Sequence, residues 1–154
     1  MHDEKATARE RELFELSEKD IYKFTQEFPA DAGQGIPNHY HICVKTAEGY
    51  SVFNCCTSQS GKVKDRIQFF GRTYVEVTNM KKTQFTMPTF VDCDNVFTIT
   101  NEDFSQYMSD GKVEFAGIIS GSDYQHIVNG ILASEMVEES TKKLFTTLPE
   151  KTQS

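Results

Sequence analysis

HYHICVKTAEGYSVFNCCT, residues 39–57, reads as a β-hairpin. His39–Thr46 and Tyr50–Thr57 are rich in β-branched, aromatic and other apolar residues, and Ala47-Glu48-Gly49 between them suits a tight turn. Working downstream, Tyr74–Thr78 alternates, with Tyr74 and Glu76 on one side and Val75 and Val77 on the other. TFVDCDNVFTIT (89–100) is a longer strand, and Lys112–Ile119 a last short one. SQSGKVKDR (58–66) reads as a polar, basic loop. Short strands at close spacing, without alternating helices, favour a small antiparallel barrel or coiled sheet of five or six strands over a doubly wound fold.

Three helical segments frame these strands. Upstream, Leu13, Leu16, Ile21, Phe24 and Phe28 recur at roughly helical spacing, so residues 3–28 are expected to be helical, with a capping box at Ser17 and Asp20. Pro29 ends that segment, and residues 30–38 form a Gly/Pro-rich loop. Asn101 can cap a short helix through Ser109. Ser120 with Asp123 suits a second capping box. From there Tyr124, Ile127, Val128, Ile131, Leu132 and Met136 form the stripe of a helix over 121–137. That stripe must bury against the sheet, chiefly through Ile127, Ile131 and Leu132. Gly130 lies mid-helix, where close backbone packing would explain it.

At 154 residues the chain can bury a core as one domain. The divisions are a helical extension and loop over 1–37, a barrel with its C-terminal helix over 38–145, and a flexible tail over 146–154. No apolar run reaches the length of a membrane span, and MHDEKATARERE at the start has no signal-peptide character. A cytoplasmic location is therefore expected. Cys43, Cys55, Cys56 and Cys93 sit in apolar runs without a CxxC and read as small buried hydrophobes. The net charge of −7 argues against broad nucleic-acid binding. Yet Lys62, Lys64, Arg66, Arg72, Lys81 and Lys82 face only Asp65 and Glu76 within 61–84, whereas 92–139 is strongly acidic. A polyanion would find the basic stretch first.

Three blocks, HYHICVK (39–45), SVFNCCTSQSGKVK (51–64) and TFVDCDNVFTIT (89–100), resemble in order and spacing the MazF/PemK (Kid) toxin family, whose fold is shared with the gyrase poison CcdB. The resemblance covers about residues 38–137. It implies an SH3-like antiparallel barrel in an α+β chain. It also implies a homodimer that cleaves single-stranded RNA without metal or other cofactor and is neutralised by an acidic antitoxin peptide. Where the family carries its strand-one arginine this chain has His39, and the third block has Asp92 and Phe97 at its arginine positions. Thr57 matches the catalytic threonine and Asp94 the family's aspartate.

Metal-free RNA cleavage needs a base for the 2′-hydroxyl, an acid for the leaving 5′-oxygen and donors to the phosphate oxygens. His39 is the candidate proton carrier, since histidine exchanges protons near neutrality. Thr57 and Asp94 complete the catalytic set. His41, two residues on along the same strand face, could line the same pocket; a metal held by both imidazoles would lack a third ligand. Gln59 suits a base edge, and Lys62, Lys64 and Arg66 the RNA backbone. Two other readings stay open: a non-catalytic module of this fold that binds a protein, and an unrelated structural barrel.

Overall fold

The structure is a computed structural model that describes residues 16–24 and 39–146. The expectations for 1–15, 25–38 and 147–154 lie outside the described residues.

Six strands form one sheet: β1 (Asp20–Phe24), β2 (His39–Ala47), β3 (Tyr50–Thr57), β4 (Tyr74–Glu76), β5 (Phe90–Thr100) and β6 (Glu114–Ile118). Their order across the sheet is β4-β5-β3-β2-β1-β6, and every neighbouring pair is antiparallel. Four described helices accompany them: α1 (Ser60–Phe70), α2 (Asn101–Ser109), α3 (Gly121–Ala133) and α4 (Glu139–Thr146). The hairpin turn is as read, with Ala47 opposite Tyr50 and Gly49 at φ 90°, a conformation that favours glycine.

The sheet does not close into a barrel. Its edge strands β4 and β6 are not paired with each other. Instead the chain just after β4 runs along the outer side of β6: the Ile118 N–H donates to the Lys82 carbonyl and the Gln84 N–H to the Ala116 carbonyl, both near 3 Å. Gly117 makes that approach possible. Its φ is 115°, and a Cβ there would lie 2.3 Å from the Lys82 carbonyl oxygen.

Both faces of the sheet are covered. On one, Ile21, Ile42, Val44, Val52, Val91 and Cys93 pack with Ile127 and Ile131 of α3. On the other, Tyr22, Phe24, Cys43, Phe53 and Phe97 pack with Phe104 and Met108 of α2. Phe104 stacks on Phe53 with ring centres 5.7 Å apart and meets Tyr22 edge-on at 5.1 Å. All four cysteines are free; Cys43, Cys56 and Cys93 are buried and Cys55 is half-buried.

Four expectations need correction. Residues 20–24 are not helical but form β1, between β2 and β6. Ser17 and Asp20 close a turn there rather than cap a helix: the Ser17 N–H donates to Asp20 Oδ2 at 3.0 Å, and Lys19 takes φ 84°. The stretch 58–66 is not a loop but runs into α1, stopped by Gly71 in the left-handed conformation. The C-terminal helix ends at Ala133, so Met136 lies beyond it and is exposed; Leu132 is half-buried. The two foreseen helix starts do form. Ser120 Oγ accepts from the Asp123 N–H at 3.1 Å, while at α2 the capping side chain is Thr100, one residue before Asn101.

Candidate functional site

A pocket of about 310 Å³ opens where β2 begins and β3 ends. Three segments line it: Lys23 with His39 and Tyr40; Cys56 through Gln59; and Gln84 through Met87 with Thr89. The hairpin brings the first two together, because His41 sits opposite Cys55 and the neighbouring strand ends follow. The third segment continues the strap along β6. Phe85 anchors it, packing edge-on against the Tyr40 ring at 5.1 Å. Lys23 lies over the same ring, its ammonium 5.5 Å from the centre.

His39, Thr57 and Gln59 therefore share one pocket. The Gln59 N–H donates to Thr57 Oγ1 at 3.2 Å, which leaves the threonine hydroxyl able to donate outward. Lys62 and Lys64 stand exposed on the first turns of α1, just beyond the Gln59 edge of the pocket. Arg66, a further turn along, is half-buried and donates to the Tyr74 hydroxyl at 3.0 Å.

His41 is elsewhere. It shares a sheet face with His39, ring centres 6.5 Å apart, but it is fully buried between Phe24, stacked at 4.1 Å, and Phe97, edge-on at 5.4 Å. Neither ring nitrogen makes a hydrogen bond of normal geometry. Burial, aided by the nearby His39, pushes its pKa down to about 3, so the ring is neutral at physiological pH.

Asp94 also lies away from the pocket. Its carboxylate accepts from the Thr73 N–H and from Arg72 Nε, each at 2.8 Å, and from the Ser134 hydroxyl. Burial opposes its ionisation, but those bonds outweigh burial and hold its pKa below the ordinary carboxylate range. Asp92 shares Arg72 at 3.5 Å. The node ties the end of α1 and the start of β4 to the end of α3.

No family model matches the chain, and no curated protein matches it. Among the described residues no group of three or more His, Cys, Asp or Glu is placed to hold a metal ion, and no helix is long and apolar enough to cross a membrane. The lining residues that the sequence reading missed include Lys23, Tyr40 and the segment Gln84 through Met87 with Thr89. A β-strand reading of 20–24 would have found Lys23, since it sits opposite Tyr40 in the β1–β2 register.

Proposed function

We propose that this chain is a toxin-like endoribonuclease that cleaves single-stranded RNA without a metal ion, in the pocket shared by His39 and Thr57. The observation that carries the reading is their convergence, with Gln59 and Lys23, in one open pocket beside the exposed lysines of α1. In the step, His39 takes the proton of a 2′-hydroxyl, whose oxygen bonds to the adjacent phosphorus. The bond to the 5′-oxygen breaks, and that oxygen leaves with a proton returned by a protonated group of the pocket. The Thr57 hydroxyl and the Lys23 ammonium donate to the phosphate oxygens. Gln59 meets a base edge, and Lys62 and Lys64 the backbone. Asp94 acts only by fixing the chain around α1. The partners that go with this reading are single-stranded RNA, an acidic antitoxin peptide and a second copy of the chain.

The test is incubation of the full chain with mixed-sequence single-stranded RNA in EDTA, beside His39→Ala and Thr57→Ala. Loss of the proton carrier should lower the rate by about 10²–10⁴-fold. Cleavage retained by both variants refutes the site. Absence of cleavage by the unaltered protein favours a second reading, a protein-binding module without catalysis. The exposed apolar residues Ile67, Phe69 and Phe70 of α1 support that alternative.

A further inference from the structure

Tyr40 takes no part in the cleavage step, yet it lines the pocket and is only half-buried. Phe85, itself buried, holds the Tyr40 ring edge-on at 5.1 Å and fixes its place. The Lys23 ammonium lies over the same ring, 5.5 Å from its centre. Among the described residues Lys23 makes no ion pair. A partly exposed ammonium that rests on an aromatic ring, with no carboxylate beside it, is held only weakly.

The rest of the lining determines what displaces that ammonium. No carboxylate lines the pocket, and two carboxamides do, Gln59 from the end of β3 and Gln84 from the strap. The Gln84 N–H donates to the Ala116 carbonyl at 3.0 Å, which pins its backbone while the residue stays exposed. A cationic ligand would meet Lys23 and no opposite charge. A wholly apolar one would strip water from the amides and the ammonium without replacing its hydrogen bonds. A flat ring with hydrogen-bonding edges, joined to an anion, answers all three: its face to Tyr40, its edges to the amides, its anion to Lys23. At about 310 Å³ the pocket is at the small end of ligand sites and admits one such unit. One nucleotide of a single strand has those parts.

We infer that Tyr40 is the platform on which one unstacked base of the strand is held, and that the base takes the ring from Lys23 and frees the ammonium for the adjoining phosphate. Base–aromatic stacking is the stronger of the two contacts, so the exchange runs in that direction. Tyr40 follows His39 directly in β2, so the base seated there belongs to a nucleotide at the cleaved bond. Stacking accepts every base, and any preference among bases falls to Gln59 and Gln84. The inference rests on the proposed reading for its ligand class and adds to it the residue that holds a base.

The test is binding of two labelled DNA hexamers to the full chain, followed by fluorescence anisotropy in EDTA. Hexathymidylate carries bases, and an abasic hexamer carries the same phosphates without them; neither has a 2′-hydroxyl, so neither is cleaved by the proposed step. The unaltered protein should bind hexathymidylate about tenfold or more tightly than the abasic strand. Tyr40→Phe should keep that ratio and Tyr40→Leu should lose it. Lys23→Met should weaken both strands and lower the slope of log affinity against log salt by about 0.7, the share of one phosphate contact on a single strand. Equal binding of the two strands, or binding of neither, overturns the inference with no variant needed. A ratio that survives Tyr40→Leu overturns it as well, and a salt slope unchanged by Lys23→Met refutes the exchange. RNA cleavage by the same samples is read separately. Cleavage with equal binding of the two hexamers leaves the pocket reaction standing and removes the platform, while base-dependent binding without cleavage does the reverse.

Discussion

His41 shows how one residue's fate follows from its neighbours. The sequence placed it beside His39 on one strand face, which is correct, and from that alone it belonged in the pocket. What removed it was Phe24, which stacks on it from β1. Because the apolar spacing of residues 13–28 suits a helix, the sequence hides that lid, and the β1 strand alone accounts for the misplacement of His41. The burial has a thermodynamic consequence. Unfolded, the imidazole takes up a proton near its ordinary value of 6.5; folded, it resists until about 3. Between those values the unfolded state binds more protons, so stability rises with pH and is lost as pH falls from 6.5 toward 3. The loss is at most about 1.4 kcal/mol per pH unit. Urea titrations at pH 5 and pH 7 should show it, and His41→Phe should remove this part of the difference. A variant with an undiminished pH dependence would place the effect in other groups.

Elements were legible where their signal is local. The cap of α3 needs only Ser120 and Asp123, three residues apart, and both are where the sequence put them. β1 was not legible, because DIYKF is buried on both faces and so lacks the alternation that marks a half-exposed strand. α1 was missed for the opposite reason: with only Val63 buried, its composition looks like that of a loop. Gly71 at its end was the available signal, since a left-handed glycine commonly stops a helix. A glycine in the middle of α3 points to close packing at Gly130, and the structure supplies the contact. A Cβ there would lie 2.7 Å from Cys93 Sγ and 3.3 Å from a Val75 methyl carbon. Gly130→Ala should therefore destabilise by about 1–3 kcal/mol through overpacking, outweighing the helix propensity it gains. Cys93→Ala should relieve part of that cost, a coupling that a double-mutant cycle by chemical denaturation would measure. Purely additive effects would count against the contact.

At the scale of the molecule, the sequence conveyed an antiparallel, strand-rich sheet with a capped helix on it, but not that a second face is covered. Phe53, Phe97, Phe104 and Tyr22 come from separate elements, and their meeting is a long-range fact that no local pattern encodes. Because β1, β2, β3 and β5 supply both cores, the two faces should melt together. Phe104→Ala should cost about 3–5 kcal/mol. It should lower a single transition seen alike by far-ultraviolet and near-ultraviolet circular dichroism. Separate transitions would mean that the α2 face is an independent unit. The strap of residues 82–84 has a different kind of consequence. Open sheets carry backbone groups at their edges that can recruit further strands without limit and seed fibres. Here the β6 edge already spends its hydrogen bonds on Lys82 and Gln84, and β4 at the far edge is three residues long. An aromatic-rich chain whose ladder is sealed at one end and cut short at the other is guarded against amyloid-like growth. The guard depends on one glycine, Gly117, that lets the strap come close.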